Sequence, residues 1–257
     1  RDSFYYDPNH PHYHDLYRNR EELFEDGVFF TDLLIREATA FIDDHRDKPF
    51  LLYVPFHEPH YPMHAPRRFA DLYHHLSYER REYAALVASL DEAIGKIMRR
   101  LAYHKLIEKT LVVFSSDNGP SAETRANGSG GNTGPHRGHK FSLLEGGIRM
   151  PAIISWPGRL PENELRSQLV MATDVLPTVA EAIGATLPSD HKIDGTSWMP
   201  LLRDKTAPGH DMLFWEWNKE HAVRQAKWKV MRNVIVTYPM GKQERMKGDD
   251  FVFPVSY

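Results

Sequence analysis

Asp117 and Asn118 stand side by side directly after the apolar run "TLVVFSS", and Gly119 closes the triplet. One anionic and one neutral oxygen donor in adjacent positions are ligands of the kind calcium or magnesium takes. The same triplet makes a turn, since all three residue types tolerate left-handed backbone, and spacing alone favours the turn. A second cluster, "HEPHYPMH", follows the run "PFLLYVPF" and sets His57, His60 and His64 at intervals of three and four. On a helix that spacing would give one face and a zinc site. Pro59, Pro62 and Pro66 forbid the helix, so the cluster is a loop, where a histidine is either a general acid or, more commonly, an ordinary polar residue. The third cluster, "HRGHKFSLLEGGIR", places Lys140 six residues ahead of Gly146. A lysine there can hold an anionic oxygen as a point charge, or can be solvated on its loop, which is the usual case. "NHPHYHDLY" (Asn9 to Tyr17) is denser in histidine but has no strand or helix to hold it, and reads as surface. Two hard ligands, a histidine and a lysine at one sheet edge fit chemistry on a tetrahedral anionic ester, either phosphoryl or sulfuryl transfer.

The elements that would position these residues alternate. "FFTDLLIREATAFIDDH" puts Phe30, Leu33, Leu34, Ala38, Phe41 and Ile42 on one helical face. From Tyr78 to Leu101, Tyr83, Leu86, Leu90, Ile94, Ile97 and Leu101 form a second stripe. "PFLLYVPF", "TLVVFSS" and "MPAIISWPG" are short apolar runs suited to strands buried on both faces. "ATDVLPTVAEAIGA" is a further amphipathic helix, closed by Gly184. This pattern predicts an α/β fold with a mostly parallel sheet flanked by helices, and in such sheets ligands bind outside the carboxyl ends of the strands. "DMLFWEWN" and "HAVRQAKWKVMRN" read instead as hairpin strands of mixed polarity, so a boundary is expected between Asp204 and Gly209.

Composition narrows the class. The 257 residues, 41% of them hydrophobic, are enough for a substantial core. The net charge of -3 comes from interspersed acids and bases, which points away from nucleic acid as a partner. No apolar run approaches the roughly 20 residues of a membrane-spanning helix. Cysteine is absent, excluding disulfides, thiolate metal sites and a cysteine nucleophile within these residues.

In this order the clusters resemble the formylglycine-dependent sulfatases of the alkaline-phosphatase superfamily, nearest the arylsulfatase and N-acetylgalactosamine-6-sulfatase type. The resemblance is carried by "KPFLLYVPFHEPHYP", "VVFSSDNG", "GPHRGHKFSLLEGGIRMPAIISWPG", "ATDVLPTVAEAIGA", "DGTSWMPLL" and "AVRQAKWKVM". It implies an α/β catalytic domain, of which residues 1–205 are the C-terminal portion, followed by a small α+β subdomain with antiparallel strands at 206–257. It implies a sulfuric ester hydrolase acting on a sulfated small molecule or sulfated glycan. It also implies Asp117 and Asn118 as ligands of Ca2+, with Mg2+ as the alternative; Lys140 on the sulfate and bridging oxygen; His60 as the acid that protonates the leaving alcohol; and His57 lining the pocket. Glu145 and Arg149 are then structural supports of the double-glycine turn, and His136, Arg137 and His139 are candidates for the non-sulfate part of the substrate. The family's "CxPSR" motif, whose cysteine or serine becomes formylglycine, is absent, as is the aspartate pair that completes the calcium site. The N-terminal part of the fold, with the nucleophile, is therefore expected upstream of these residues, and the residues by themselves are expected to be inactive. The resemblance further implies an extracytoplasmic enzyme, periplasmic or secreted. The competing expectations are a phosphodiesterase or phosphonate hydrolase of the same superfamily, and an inactive sulfatase-like binding domain.

Overall fold

A computed structural model describes residues 16–128, 130–237, 243–245 and 250–255; most of the histidine-rich stretch from Asn9 to Tyr17 lies outside them. The chain divides into two compact units, one of residues 1–105 with 123–131, the other of residues 106–122 with 132–257. The first holds a minimal antiparallel pair, β1 (Tyr17–Arg18) and β2 (Glu21–Glu22), then α1 (Phe30–His45), α2 (Arg67–Ala70) and the long α3 (Tyr78–Tyr103). Helix α1 packs on α3. It buries Leu33, Ala38 and Ile42 from the expected face, with Thr31 beside them. On α3 the buried line runs through Glu82, Ala85, Leu86, Ser89, Ala93 and Leu101, while Leu90, Ile94 and Ile97 are only half-buried. The larger side chains predict a stripe that the structure rotates toward smaller ones, because Ala85, Ser89 and Ala93 allow a closer approach of the two helices. Across this contact Asp43 of α1 receives the Arg100 guanidinium and lies 2.8 Å from His104 Nε2.

The run from Phe50 to Phe56, expected as a strand buried on both faces, is not part of any sheet among the described residues. Exposure alternates along it, and Leu51 and Tyr53 are 77% and 82% exposed. It has the period of a strand with one face covered.

The second unit contains β3 (Val112–Ser115), α4 (Glu145–Ile148), β4 (Ala152–Ser155), α5 (Val175–Ile183), α6 (Met199–Arg203), and strands β5 (Met212–Trp217), β6 (Glu220–Gln225), β7 (Trp228–Arg232), β8 (Ile235–Thr237), β9 (Gln243–Arg245) and β10 (Asp250–Pro254). The strand alternation predicts parallel neighbours, yet every pairing among the described residues is antiparallel. The connection from β3 to β4 holds two short helical turns, Thr124–Ala126 and α4, and doubles back, whereas parallel neighbours are usually joined by a crossover helix. Ser115 consequently pairs with Ala152, so the chain leaving β3 and the chain entering β4 share one end of the sheet. Helix α5 ends as expected at Gly184, with φ of 70°.

The expected hairpins are a meander in the order β10-β7-β6-β5. Both of its tight turns span two residues, with Asn218 and Ala226 at positive φ as the twist of such hairpins requires. One face of this sheet meets the loop ahead of α4, forming a core of Leu143, Leu144, Ala222, Met231 and Val234. No helix among the described residues is long and apolar enough to cross a membrane.

Candidate functional site

In the second unit, the Asp-Asn-Gly triplet begins two residues beyond the last residue of β3. Asp117 is exposed and Asn118 half-buried. The Asn118 amide donates to Asp117 Oδ1 at 2.9 Å, and Ser116 Oγ donates to the Asn118 carbonyl at 3.1 Å. The chain bends at Asp117 and Asn118, in keeping with the reversal that spacing alone favours, and the bend lies at the strand's carboxyl end.

Three glycines hold this turn to the loop of the third cluster. Gly119 N–H donates to Gly147 O at 3.0 Å, and Gly146 N–H donates to Arg137 O at 2.7 Å. A Cβ on Gly119 would collide with the Gly146 carbonyl, one on Gly146 with the Gly138 carbonyl, and one on Gly147 with the Ser142 carbonyl. Backbone-to-backbone packing this tight admits no side chain. Within it the Lys140 N–H donates to Pro120 O at 3.0 Å, which places the lysine's backbone two residues from Asn118. Lys140 is half-buried, with Nζ 5.3 Å from the centre of the Phe141 ring. Phe141 has a φ of 68°, a conformation a bulky residue rarely adopts, and its ring stacks on Trp217 of β5 at 6.0 Å.

Glu145 was expected to support the double-glycine turn with Arg149, and Arg149 Nη1 does lie 3.8 Å from Glu145 Oε2. Closer partners come from the meander. Lys229 Nζ donates to Glu145 Oε1 at 2.9 Å and to the Leu143 carbonyl, and Arg224 Nη1 donates to Glu145 Oε2 at 3.0 Å. Burial pulls the Lys229 ammonium below the usual lysine range; Glu145 opposes that shift and the Arg224 charge adds to it. Neither cation was singled out from the sequence, where both look like ordinary charges of a half-exposed hairpin. Of the substrate-contact candidates, Arg137 is exposed and His136 half-buried. His139 has a buried Nδ1, and burial lowers its pKa.

The histidine loop belongs to the first unit and is non-helical, as the prolines require. His60 Nδ1 is 2.8 Å from the Tyr61 carbonyl, which can only accept, so Nδ1 carries the hydrogen. The His57 ring stacks on Phe30 at 4.4 Å. Two neighbours went unnoticed in the sequence. Glu58 has a buried Oε2, and its carboxyl is pushed up chiefly by burial, with the Asp32 charge adding. The Arg125 guanidinium lies 4.3 Å from the centre of the Tyr61 ring, a contact between residues 64 positions apart that no local pattern announces.

A family model described as Sulfatase matches residues 1–185. The chain belongs to the sulfatase family. A second model, described as N-sulphoglucosamine sulphohydrolase, C-terminal, matches residues 137–250. Among relatives, the steryl-sulfatase of Mus musculus is 36% identical over 188 residues, 72% of this chain and 29% of that protein. The N-acetylgalactosamine-6-sulfatase of Canis lupus familiaris is 31% identical over 223 residues, 86% of this chain and 41% of that protein. The crystal structure of Ps i-CgsB in complex with k-i-k-neocarrahexaose shares the fold with a TM-score of 0.75 at 31% identity, over 83% of this chain and 48% of that one. This sulfatase chain therefore spans about a third of the length of the curated relatives it matches and about half of the solved structures. Its mixed α/β fold is shared, with a TM-score of 0.54 at 19% identity, by a protein in the alkaline phosphatase superfamily from Vibrio parahaemolyticus.

Proposed function

We propose that the intact protein carrying these residues hydrolyses a sulfate ester, of a small alcohol or of a glycan, to the alcohol and inorganic sulfate. The observation that carries this reading is the lysine loop bonded back onto the Asp-Asn-Gly turn through Lys140 N–H to Pro120 O and Gly119 N–H to Gly147 O. These bonds bring the backbone of Lys140 close to that of Asp117 and Asn118, and a lysine with two hard oxygen donors is the set an anionic tetrahedral ester calls for.

The donor chemistry of Asp117 and Asn118 fits a calcium ion, with magnesium the alternative, and would supply two of its roughly six to eight oxygens. Among the described residues no group of three or more acidic or histidine side chains gathers round them, so further ligands would complete the shell. When bound, the cation would offset negative charge on the sulfate, and the formylglycine typical of the family would supply the nucleophile. Lys140 contributes a fixed positive charge to the sulfate oxygens and the bridging oxygen. His60, its Nδ1–H held by the Tyr61 carbonyl, delivers a proton from Nε2 to the leaving alcohol oxygen. His57, in the same loop and stacked on Phe30, is the further candidate substrate contact.

The test is release of sulfate from an aryl sulfate by the intact protein, run beside an aryl phosphodiester. Asp117→Ala and Lys140→Ala should each lower the rate by on the order of 10²-fold, as loss of preorganised charge does. A faster reaction with the phosphodiester, or variants as active as the parent, would replace the sulfatase reading.

A further inference from the structure

The meander carries an arrangement that its own sheet does not explain. Arg224 on β6 and Lys229 on β7 are cross-strand partners in register. Their side chains are only 7% and 2% exposed. Like charges directly opposite on one sheet destabilise it, and burial makes the repulsion worse. Glu145 reaches in against this repulsion with one carboxylate oxygen on each cation, at 3.0 Å from Arg224 and 2.9 Å from Lys229. A carboxylate held at both oxygens by two ordered cations has little freedom to turn.

Glu145 begins α4, and the next two residues are Gly146 and Gly147, whose backbones clasp the Asp-Asn-Gly turn and the lysine loop. The meander holds the same loop at two further points: Lys229 also bonds the Leu143 carbonyl, and Trp217 stacks on Phe141, the residue after Lys140. We propose that Lys229 and Arg224 are positioning residues, which fix Lys140 and the Asp117–Asn118 pair by clamping Glu145 and, through it, the glycine contacts. This rests on the proposed roles of Asp117, Asn118 and Lys140. It gives the C-terminal sheet a part in the chemistry beyond packing.

The experiment compares the parent, Lys229→Met, Arg224→Gln and Glu145→Gln in the intact protein, at a temperature where each is folded. Hydrogen exchange is read at the Gly119 and Lys140 amides, with the α5 amides as internal reference, and kcat and KM are measured with an aryl sulfate. Lys229→Met should speed exchange at Gly119 and Lys140 by about tenfold or more with α5 unchanged. It should also lower kcat by roughly 10- to 100-fold with KM little altered, since misplaced charge is lost mainly from the transition state. Glu145→Gln should reproduce both effects. Arg224→Gln, which leaves the Lys229–Glu145 bond in place, should give a smaller change of the same kind and serves where Lys229→Met does not fold. Exchange that rises equally in α5, or Gly119 and Lys140 amides that exchange as in the parent, overturns the proposal. So does an unchanged kcat beside altered exchange. A parent that releases no sulfate sinks the sulfatase reading instead, and the exchange comparison still decides whether the clamp holds the loop.

Discussion

The Asp174 carboxylate gathers donors from four residues. It is fully buried and accepts from Met171 N–H and Thr196 N–H at 2.8 Å each, from Trp198 Nε1 at 2.9 Å, and from His210 Nε2 at 2.8 Å. Burial opposes its charge, but the donors from Met171, Thr196, His210 and Trp198 outweigh that cost and hold the carboxyl below the usual aspartate range. Asp174→Ala would leave those donors facing a void, and chemical denaturation should report a loss on the order of 3–5 kcal/mol, the range for removing one partner of a buried charge pair. Because the folded pKa is depressed, this stabilisation is present above the ordinary value of 3.8 and is lost as pH falls below it. A stability profile of Asp174→Asn should therefore be flatter than the parent's on the acid side. "ATDVLPTVAEAIGA" announced a helix, but nothing local announced that its first acid would bind Thr196 and His210, 22 and 36 residues on.

At the scale of elements, two contacts can be tested directly. Helices α1 and α3 are pinned where Asp43 meets Arg100 and His104, and the bonds from Arg100, then His104, bring the Asp43 pKa down to about 2. Its contribution is complete above pH of about 4 and disappears as pH falls toward 2. Asp43→Asn should lower the melting temperature at neutral pH and remove that acid-side slope. The second contact is the glycine clasp. Gly119→Ala puts a methyl group into the Gly146 carbonyl, so it should cost about 1–3 kcal/mol as overpacking and lower kcat more than KM rises. Helices and meander strands were legible from their periodicity, since 3.6-residue and two-residue patterns follow from which face is buried. The direction of strand pairing was not, because a short apolar run reads the same whichever way its neighbour points.

For the molecule as a whole, the resemblance carried by the three polar clusters and their flanking segments pointed to the sulfatase family, and the match over residues 1–185 bears that out. If the functional reading holds, sulfate release by the intact protein should depend on a divalent cation. Chelation should abolish turnover and calcium restore it, with Asp117→Ala raising the concentration needed. Sequence by itself determined the family and the helices and offered the candidate chemical groups, because side-chain chemistry and hydrophobic period are properties of residues and their near neighbours. Only the tertiary structure decided which charges are paired and what they hold. Glu145 could be read as a support for the glycine turn, yet its partners Arg224 and Lys229 lie 79 and 84 residues away. Such a contact is fixed by strand register and burial, which no local pattern encodes, and here it ties the C-terminal sheet to the loop that carries Lys140.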